Sequence, residues 1–135
     1  MNSLQESLNA KGAQILTAIS QVDLELLRSL CHSDMNLQVP GPRDIDLSLQ
    51  TQGIDEFCAW VSDVHRLCGS TQFSTHRYFE NGCELMASGA IHIQRLPRVF
   101  SSPCSLLFRF EAGQLVFLQL LLDTFALDKF RGEMD

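Results

Sequence analysis

The amino-acid sequence predicts an α+β fold in which helices pack on one face of a curved, mostly antiparallel sheet. In the first half of the chain, apolar residues recur three and four positions apart, which is the spacing of one helix face. From Gln72 onward the period changes to the alternation that is typical of strands, interrupted by glycine-containing turns. Helices followed by antiparallel strands indicate a fold whose helices are segregated to one face of the sheet.

Two helices are predicted before residue 33. The first spans residues 4–19, and its apolar face comprises Leu4, Leu8, Ile15, Leu16 and Ile19. Asp23 caps a second helix over residues 24–32, because its carboxylate can accept hydrogen bonds from the free N–H groups of the first turn. A short strand over residues 35–39 ends at Pro40-Gly41-Pro42, and a polar loop continues to Gln52.

A third helix is predicted over residues 54–68, directly after Gly53. Its buried stripe comprises Ile54, Phe57, Trp60, Val61, Val64 and Cys68. At this spacing Trp60 is interpreted as a core residue, and a platform that contacts a ligand is the alternative.

A hairpin follows, with strands over residues 72–79 and 83–94 joined at Glu80-Asn81-Gly82. A three-residue loop would place His76 and Tyr78 on the face of His92, whereas a two-residue loop would place Arg77 and Phe79 there. The longer loop is favoured because it groups four apolar residues on one face: Phe73, Phe79, Leu85 and Ile91. His76 and Tyr78 then either line a pocket or lie on a solvated edge strand.

Two strongly apolar strands close the chain. A loop over residues 95–103 contains two prolines, and the first of these strands begins at Cys104. The strands meet at Glu111-Ala112-Gly113, where glycine adopts a backbone conformation that is costly for other residues. Asp123 then opens a short final helix. Because the strands are apolar at nearly every position, both faces of the sheet should be covered, by helices on one side and by a partner subunit on the other.

The bulk composition predicts one domain over residues 1–135, located in the cytoplasm. The chain is 45% hydrophobic and 19% charged, which is an ordinary globular balance. Its net charge of −6 argues against nucleic acid as a partner, because phosphate binding needs clustered Lys and Arg. No segment approaches the roughly 20 apolar residues of a membrane span, and the N-terminus lacks the pattern of a signal peptide. The five cysteines are irregularly spaced, which suits reduced thiols.

The sequence predicts neither a metal site nor a cofactor. His65 and Cys68 lie three residues apart and Cys58 lies ten before Cys68, so no compact set of ligands shares one helix face. No glycine-rich loop of the phosphate-binding type occurs. Cys104 has no flanking cation, so its thiol should stay protonated rather than act as a nucleophile.

Four stretches, taken in order, carry a resemblance to a known superfamily. They are VDLELLRSLCHSDMNLQVPG, the helix after Gly53 with Phe57 and Trp60, the Asn81-Gly82-Cys83 hairpin, and FRFEAGQL followed by Asp123. Over nearly its whole length the chain resembles the nuclear-transport-factor-2-like superfamily, in the branch with ketosteroid isomerase, limonene epoxide hydrolase and SnoaL-like cyclases. The resemblance implies a cystatin-like cone, with three helices and the concave face of the sheet enclosing a pocket and the convex face forming a homodimer.

The resemblance also implies which residues line that pocket. The closing strands contribute Cys104, Leu106, Phe108, Leu118, Leu120 and Leu122. The Asn81-Gly82 hairpin contributes Met86, Ser88, Ala90 and His92. The isomerase needs a carboxylate, a tyrosine and a protonated acid at the positions of Val39, Ile15 and Leu106, all of which are apolar here, so that chemistry is excluded.

Two residues are candidates for catalysis by comparison with the other branches. Asp123 matches the last-strand aspartate of the epoxide hydrolases, although the Arg and Asp partners of that residue fall near Gly89 and Ile91. SnoaL-like cyclases use Asp and His in the same cavity, and Asp123 and His92 are the residues of those types here. For Asp123 the alternative is a helix cap, and for His92 it is a structural histidine bonded to loop backbone.

Three functions are consistent with these sequence features. The first is a homodimer that binds an apolar or aromatic small molecule, with cofactor-free acid–base chemistry by His92 and Asp123. The second is a non-catalytic module whose cavity is filled by its own side chains and whose convex sheet face mediates assembly or senses a ligand. The third is a subunit that docks on a partner, like the small subunits of ring-hydroxylating dioxygenases, although the chain is short for that role. A cavity of roughly 300 Å³ or more would favour the first function, and a packed interior would favour the second.

Overall fold

The computed structural model describes residues 7–41 and 49–132. Its elements follow the order α1 (Leu8–Gln21), α2 (Leu24–Leu30), β1 (Cys31–Val39), β2 (Leu49–Gln50), α3 (Ile54–Leu67), β3 (Ser70–Asn81), β4 (Glu84–Arg95), β5 (Arg98–Glu111), β6 (Gln114–Leu121) and α4 (Thr124–Gly132). Leu4, where the first helix is expected to begin, lies outside the described residues, as do Pro42 and residues 43–48 of the expected loop.

The six strands form one sheet in the order β2-β1-β6-β5-β4-β3. All neighbouring strands are antiparallel except β1 and β6, which are parallel. Helix α1 packs on β3 and β4, and α3 packs on β1, so the helices cover one face. We call this face the inner face and the opposite one the outer face. The predicted α+β class, with helices on one face of a mostly antiparallel sheet, is confirmed.

Several boundaries differ from the sequence prediction. Strand β1 begins at Cys31 instead of residue 35, and the two-residue strand β2 was not predicted. The expected loop over residues 95–103 is mostly strand, because Arg95 pairs directly with Arg98 across a two-residue turn. Pro103 is tolerated in β5 because pairing with β6 extends only to Ser105, so the missing N–H of proline removes no bond to that strand.

The β3–β4 hairpin has the shorter of the two loops considered. Asn81 pairs with Glu84, which leaves Gly82 and Cys83 as a two-residue turn, so the favoured three-residue loop was wrong. A bulge at His76 follows farther along β3, between the pairs Thr75 with Gly89 and Arg77 with Ser88. The extra residue in the bulge reverses which of the alternating β3 side chains project from each face of the sheet. Tyr78 therefore pairs with Ala87 and faces the helices, not the side of His92.

Candidate functional site: the cone interior and the outer face of the sheet

The residues expected from the closing strands do line the inner face. Leu106 pairs with Leu120, and Phe108 pairs with Leu118, so these side chains project from the same face of the sheet. All of them are buried, as is Cys104, and Leu122 is partly buried against the same core just after β6 ends. These residues form the floor of the cone.

The residues expected from the β3–β4 hairpin face the opposite way. Leu85 pairs with Phe108 and Ala87 pairs with Leu106, so the odd-numbered residues of β4 share the inner face with the even-numbered residues of β5. The alternating residues of β4 must then project outward, and Met86 is accordingly 53% exposed. The prediction that the pocket is lined by Met86, Ser88, Ala90 and His92 is wrong for this geometric reason.

The interior of the cone is filled by side chains of the chain itself. Ile15, Val39 and Leu106, which occupy the positions of the isomerase residues, are at most 2% exposed. Helix α1 approaches the sheet closely at Gly12, where a Cβ atom would lie 2.5 Å from Leu85 Cδ2. The absence of a side chain at Gly12 therefore lets α1 lie directly on the sheet, which removes volume that a pocket would need.

A small cavity lies next to Trp60 among the described residues, with a volume of about 10 Å³. Its lining residues come from α1, α3, β3 and β4: Ile19, Trp60, Val61, Val64, His65, Thr71, Phe73 and Ile91. This is about the volume that one water molecule requires. Trp60 is 8% exposed, and its indole N–H has no hydrogen-bond partner among the described residues. Trp60 is therefore a core residue that keeps one unsatisfied donor beside a small cavity.

Asp123 lies between β6 and α4 and caps that helix. Its Oδ1 atom accepts a hydrogen bond of 2.9 Å from the backbone N–H of Ala126, and its own backbone N–H donates to Ser102 Oγ at 3.1 Å. The side chain is exposed. This geometry is that of the helix cap, one of the two interpretations of Asp123 considered from the sequence.

His92 lies on the outer face between two serines. Ser74 Oγ is 3.1 Å from His92 Nε2, and Ser101 Oγ is 2.8 Å from His92 Nδ1. Ser101 pairs directly with His92 across β4 and β5, whereas the neighbouring Ser102 pairs with the inner-face residue Ile91. Because Asp123 contacts Ser102 and His92 contacts Ser101, the sheet separates the two residues that the sequence predicts to act together.

Open grooves of ligand size lie on the surface of the described residues. One, of about 560 Å³, runs between α1 and the edge strand β3, and Tyr78 and Ser74 contribute to it. Inside it, Tyr78 Oη lies 2.9 Å from Thr75 Oγ1. Another groove, of about 700 Å³, lies between α1, the end of α2 and two hairpin turns, and it includes Ile15 and the exposed Cys83. His76 lies exposed in the bulge between the regular parts of β3.

An apolar ridge crosses the outer face near the β3–β4 turn. Phe79 pairs with Met86, and Met86 pairs with Leu107, so three apolar side chains lie side by side on adjacent strands. On β6 the direct partner of Leu107 is Gln119, and the apolar Phe117 and Leu121 lie on either side of it on the same face. The exposed fractions of Phe79, Met86 and Leu121 are 60%, 53% and 44%. The ridge consists of Phe79, Met86, Leu107, Phe117 and Leu121.

A charged pair borders the ridge at the end near the turns. Arg109 donates to Glu84 Oε2 from both Nε and Nη2, at 3.1 and 2.9 Å. The guanidinium carbon also lies 5.6 Å from the ring centroid of Phe117, within the range of a cation–π contact. An apolar centre with a polar rim is the usual composition of a protein–protein interface.

The cysteines are free thiols, and four of the five are buried. Burial raises the pKa of the Cys104 thiol to about 11, so this thiol is protonated at neutral pH, as expected. The described residues contain no cluster of three or more His, Cys, Asp or Glu side chains that could hold a metal ion. No described helix is long and apolar enough to cross a membrane.

Comparisons with known proteins rest on structure alone. No protein-family model and no curated protein matches the sequence. A protein of unknown function from Burkholderia pseudomallei, described as NTF2-like, matches with a TM-score of 0.81 and 18% identity, over 93% of this chain and 98% of that one. The chain has a nuclear-transport-factor-2-like fold. The resemblance inferred from the four sequence stretches is thereby confirmed at the level of the fold.

Two further solved structures are similar to this chain. TerC, crystallised with polyporic acid, matches with a TM-score of 0.79 and 15% identity, over 91% of this chain and 96% of that one. An LEH-like epoxide hydrolase from M. tuberculosis matches with a TM-score of 0.73 and 12% identity, over 92% of this chain and 88% of that one. At such identities the likeness defines the nuclear-transport-factor-2-like fold and no activity.

Proposed function

We propose that this nuclear-transport-factor-2-like chain is an assembly module that forms a homodimer through the outer face of its sheet. The packed interior is the observation that carries this proposal. Side chains such as Phe108 and Leu118 are at most 1% exposed. The cavity beside Trp60 is about 10 Å³, far below the roughly 300 Å³ of a ligand pocket. With the cone filled, the exposed apolar ridge of the outer face is the surface on which we base the proposed function.

The ridge on the outer face supports a second copy of the chain as the partner. Large apolar side chains grouped on the surface of a soluble protein mark an interaction site, because leaving them in water is unfavourable. A two-fold dimer requires only that one patch be complementary to itself. A ridge of Phe79, Met86 and Leu107 on three adjacent strands meets that requirement when two sheets pack face to face.

Sedimentation of charge variants tests the homodimer. Met86→Glu places a charge at the centre of the ridge, and we expect it to convert a dimer into a monomer at micromolar concentration. Val99→Glu is the matched control, because Val99 is 55% exposed on the same face but lies outside the ridge. We expect the control to remain dimeric. A wild-type chain that sediments as a monomer at about 100 μM, where an interface of ordinary affinity is occupied, would refute the proposal.

A second function, ligand binding inside the cone, is favoured by the unsatisfied indole N–H of Trp60. A buried donor without a partner is costly, and a ligand acceptor would satisfy it. The probe is polyporic acid, with which TerC was crystallised. Under this function, calorimetry would show that polyporic acid binds at one site per chain. Trp60→Phe would lower the affinity of that site about tenfold, because one hydrogen bond is lost. Absence of heat with the wild-type chain would argue for the assembly module alone.

A further inference from the structure

The three hydrogen-bonded side chains on the outer face have the arrangement of a nucleophile, a base and an orienting group. Ser74 Oγ lies 3.1 Å from His92 Nε2, and Ser101 Oγ lies 2.8 Å from His92 Nδ1. We infer that Ser74 is a nucleophile activated by His92 and that this pair cleaves small uncharged activated esters. Ser101 is the positioning residue for the imidazole. This inference does not depend on dimer formation.

One tautomer of His92 makes Ser74 the nucleophile, and the position of Ser74 on the edge strand is what favours it over Ser101. When the imidazole carries its proton on Nδ1, it donates to Ser101 Oγ, and Nε2 is then free to accept from the Ser74 hydroxyl. A nucleophile within hydrogen-bond reach of a base, with the base held by a third group, is the geometry that activates serine. The three residues lie on three adjacent strands, β3, β4 and β5, so the sheet fixes their separations.

A substrate can reach Ser74 because β3 is the edge strand of the sheet. Ser74 is exposed and is one of the residues beside the groove of about 560 Å³ between α1 and β3. Its pairing with Ala90 places its side chain on the outer face, so an acyl group bound at Ser74 Oγ reaches that groove across the edge of β3. Every residue that lines this groove is uncharged. An uncharged acyl group therefore suits the groove better than an ionic one. The free edge of the strand also presents backbone N–H groups, which can stabilise a developing oxyanion.

The chemical step is an acyl transfer. Ser74 Oγ attacks the carbonyl carbon while its proton passes to His92 Nε2, and a carbon–oxygen bond forms. The ester bond then breaks, and the leaving alkoxide takes the proton from His92. Water attacks the acyl-serine with the same base, which releases the acid and restores the hydroxyl. Atoms and charges balance without any further reactant.

The relay lies on the same outer face as the proposed dimer ridge, but none of its residues belongs to the ridge, and Ser74 is five residues from Phe79 along β3. Met86 and His92 are six residues apart on β4, which corresponds to about 20 Å along the strand. Met86→Glu should therefore abolish the dimer without changing the reactivity of Ser74. The two proposals can fail independently for this reason.

Labelling with diisopropyl fluorophosphate tests the nucleophile. Ser74 Oγ would attack phosphorus and displace fluoride, and mass spectrometry of peptides would place the diisopropylphosphoryl group on Ser74. We expect no label in Ser74→Ala and at least roughly tenfold slower labelling in His92→Gln. Ser105→Ala is the control, because Ser105 is an exposed serine on the same face. Absent labelling, labelling of another residue, or a rate unchanged in His92→Gln would overturn the inference.

Hydrolysis of p-nitrophenyl acetate tests the positioning role of Ser101. We expect Ser74→Ala to lower kcat/KM roughly 100-fold. Ser101→Ala should lower kcat with little change in KM, and Ser101→Thr should restore it because the hydroxyl is retained. Melting curves of all variants would show that each is folded. Failure of Ser101→Thr to exceed Ser101→Ala, with both variants folded, would remove the positioning role.

Discussion

Gly89 is the residue at which β3 bulges against β4. A Cβ atom there would lie 2.8 Å from Thr75 Cα, with the Ser74 carbonyl oxygen closer still. Both neighbours are backbone atoms, so they cannot move aside as a side chain would. We therefore expect Gly89→Ala to lower the free energy of unfolding by about 3 kcal/mol, measured by urea denaturation.

Gly132→Ala is the matched control for that substitution. A Cβ at Gly132 meets nothing within 4 Å, and its φ lies outside the left-handed region. The control should change the free energy of unfolding by less than about 0.5 kcal/mol. If Gly89→Ala proved equally mild, the bulge would not be held against β4 as described, and the facing of Tyr78 and Ser74 would need revision.

Side-chain facing along β4 could have been predicted from the sequence. The odd-numbered residues Leu85, Ala87, Ile91 and Ile93 are more apolar than the intervening Met86, Ser88, Ala90 and His92. Alternation alone therefore assigns the odd set to the core. The contrary assignment came from matching the hairpin to the superfamily pattern. The serines that contact His92 could not be found in this way, because their contacts depend on the register of three strands.

The helices were predictable because their spacing and caps agree. Asp23 and Asp123 each precede a helix, and each accepts a hydrogen bond from the third residue after it. The strands were less predictable at their ends. Cys31 continues the helical spacing of α2 yet begins β1, because pairing with Leu115 on the distant strand β6 decides its conformation. Tertiary pairing of this kind leaves no local signal in the sequence.

The side chain of Asp123 stabilises the start of α4 as a helix cap. Asp123→Ala removes the acceptor for the Ala126 N–H, and we expect it to lower the free energy of unfolding by about 1 kcal/mol. Asp123→Asn retains an acceptor oxygen and should cost only a few tenths of that amount. Equilibrium unfolding in urea measures both. Equal losses for the two substitutions would show that the negative charge of Asp123, rather than its capping geometry, is what stabilises the chain.

At the scale of the whole molecule, the sequence predicted the fold better than it predicted whether side chains fill the interior of the cone. The apolar residues of the closing strands indicate the floor of a cone whether a ligand or other side chains cover it. Gly12 decides between these cases, since its missing side chain lets α1 approach Leu85 and Phe108. From the sequence alone, Gly12 is recognisable only as a residue that destabilises the middle of a helix. The filled interior therefore could not be predicted.

Buried thiols make the stability of the molecule sensitive to alkaline pH. Burial raises the pKa of Cys104 and of Cys68 to about 11 each, and burial with the nearby Cys58 raises that of Cys31 to about 12. The unfolded chain titrates near the ordinary thiol value of about 9. Above that pH the unfolded chain has lost protons that the folded chain keeps, so the free energy of unfolding must fall as pH rises.

Replacing one buried thiol should flatten this pH dependence. Each thiol contributes a slope of about 1.4 kcal/mol per pH unit between the two pKa values, that is, between about pH 9 and pH 11 for Cys104. Cys104→Val should therefore reduce the fall in unfolding free energy from about pH 9.5 to about pH 10.5 by about 1 kcal/mol relative to the wild type. Cys83→Ala is the control, because it removes an exposed thiol and leaves the buried thiols in place. The comparison cancels the titration of lysine and tyrosine, which both variants share with the wild type. Parallel curves for Cys104→Val and the wild type would mean that water reaches this thiol and that the floor of the cone is open.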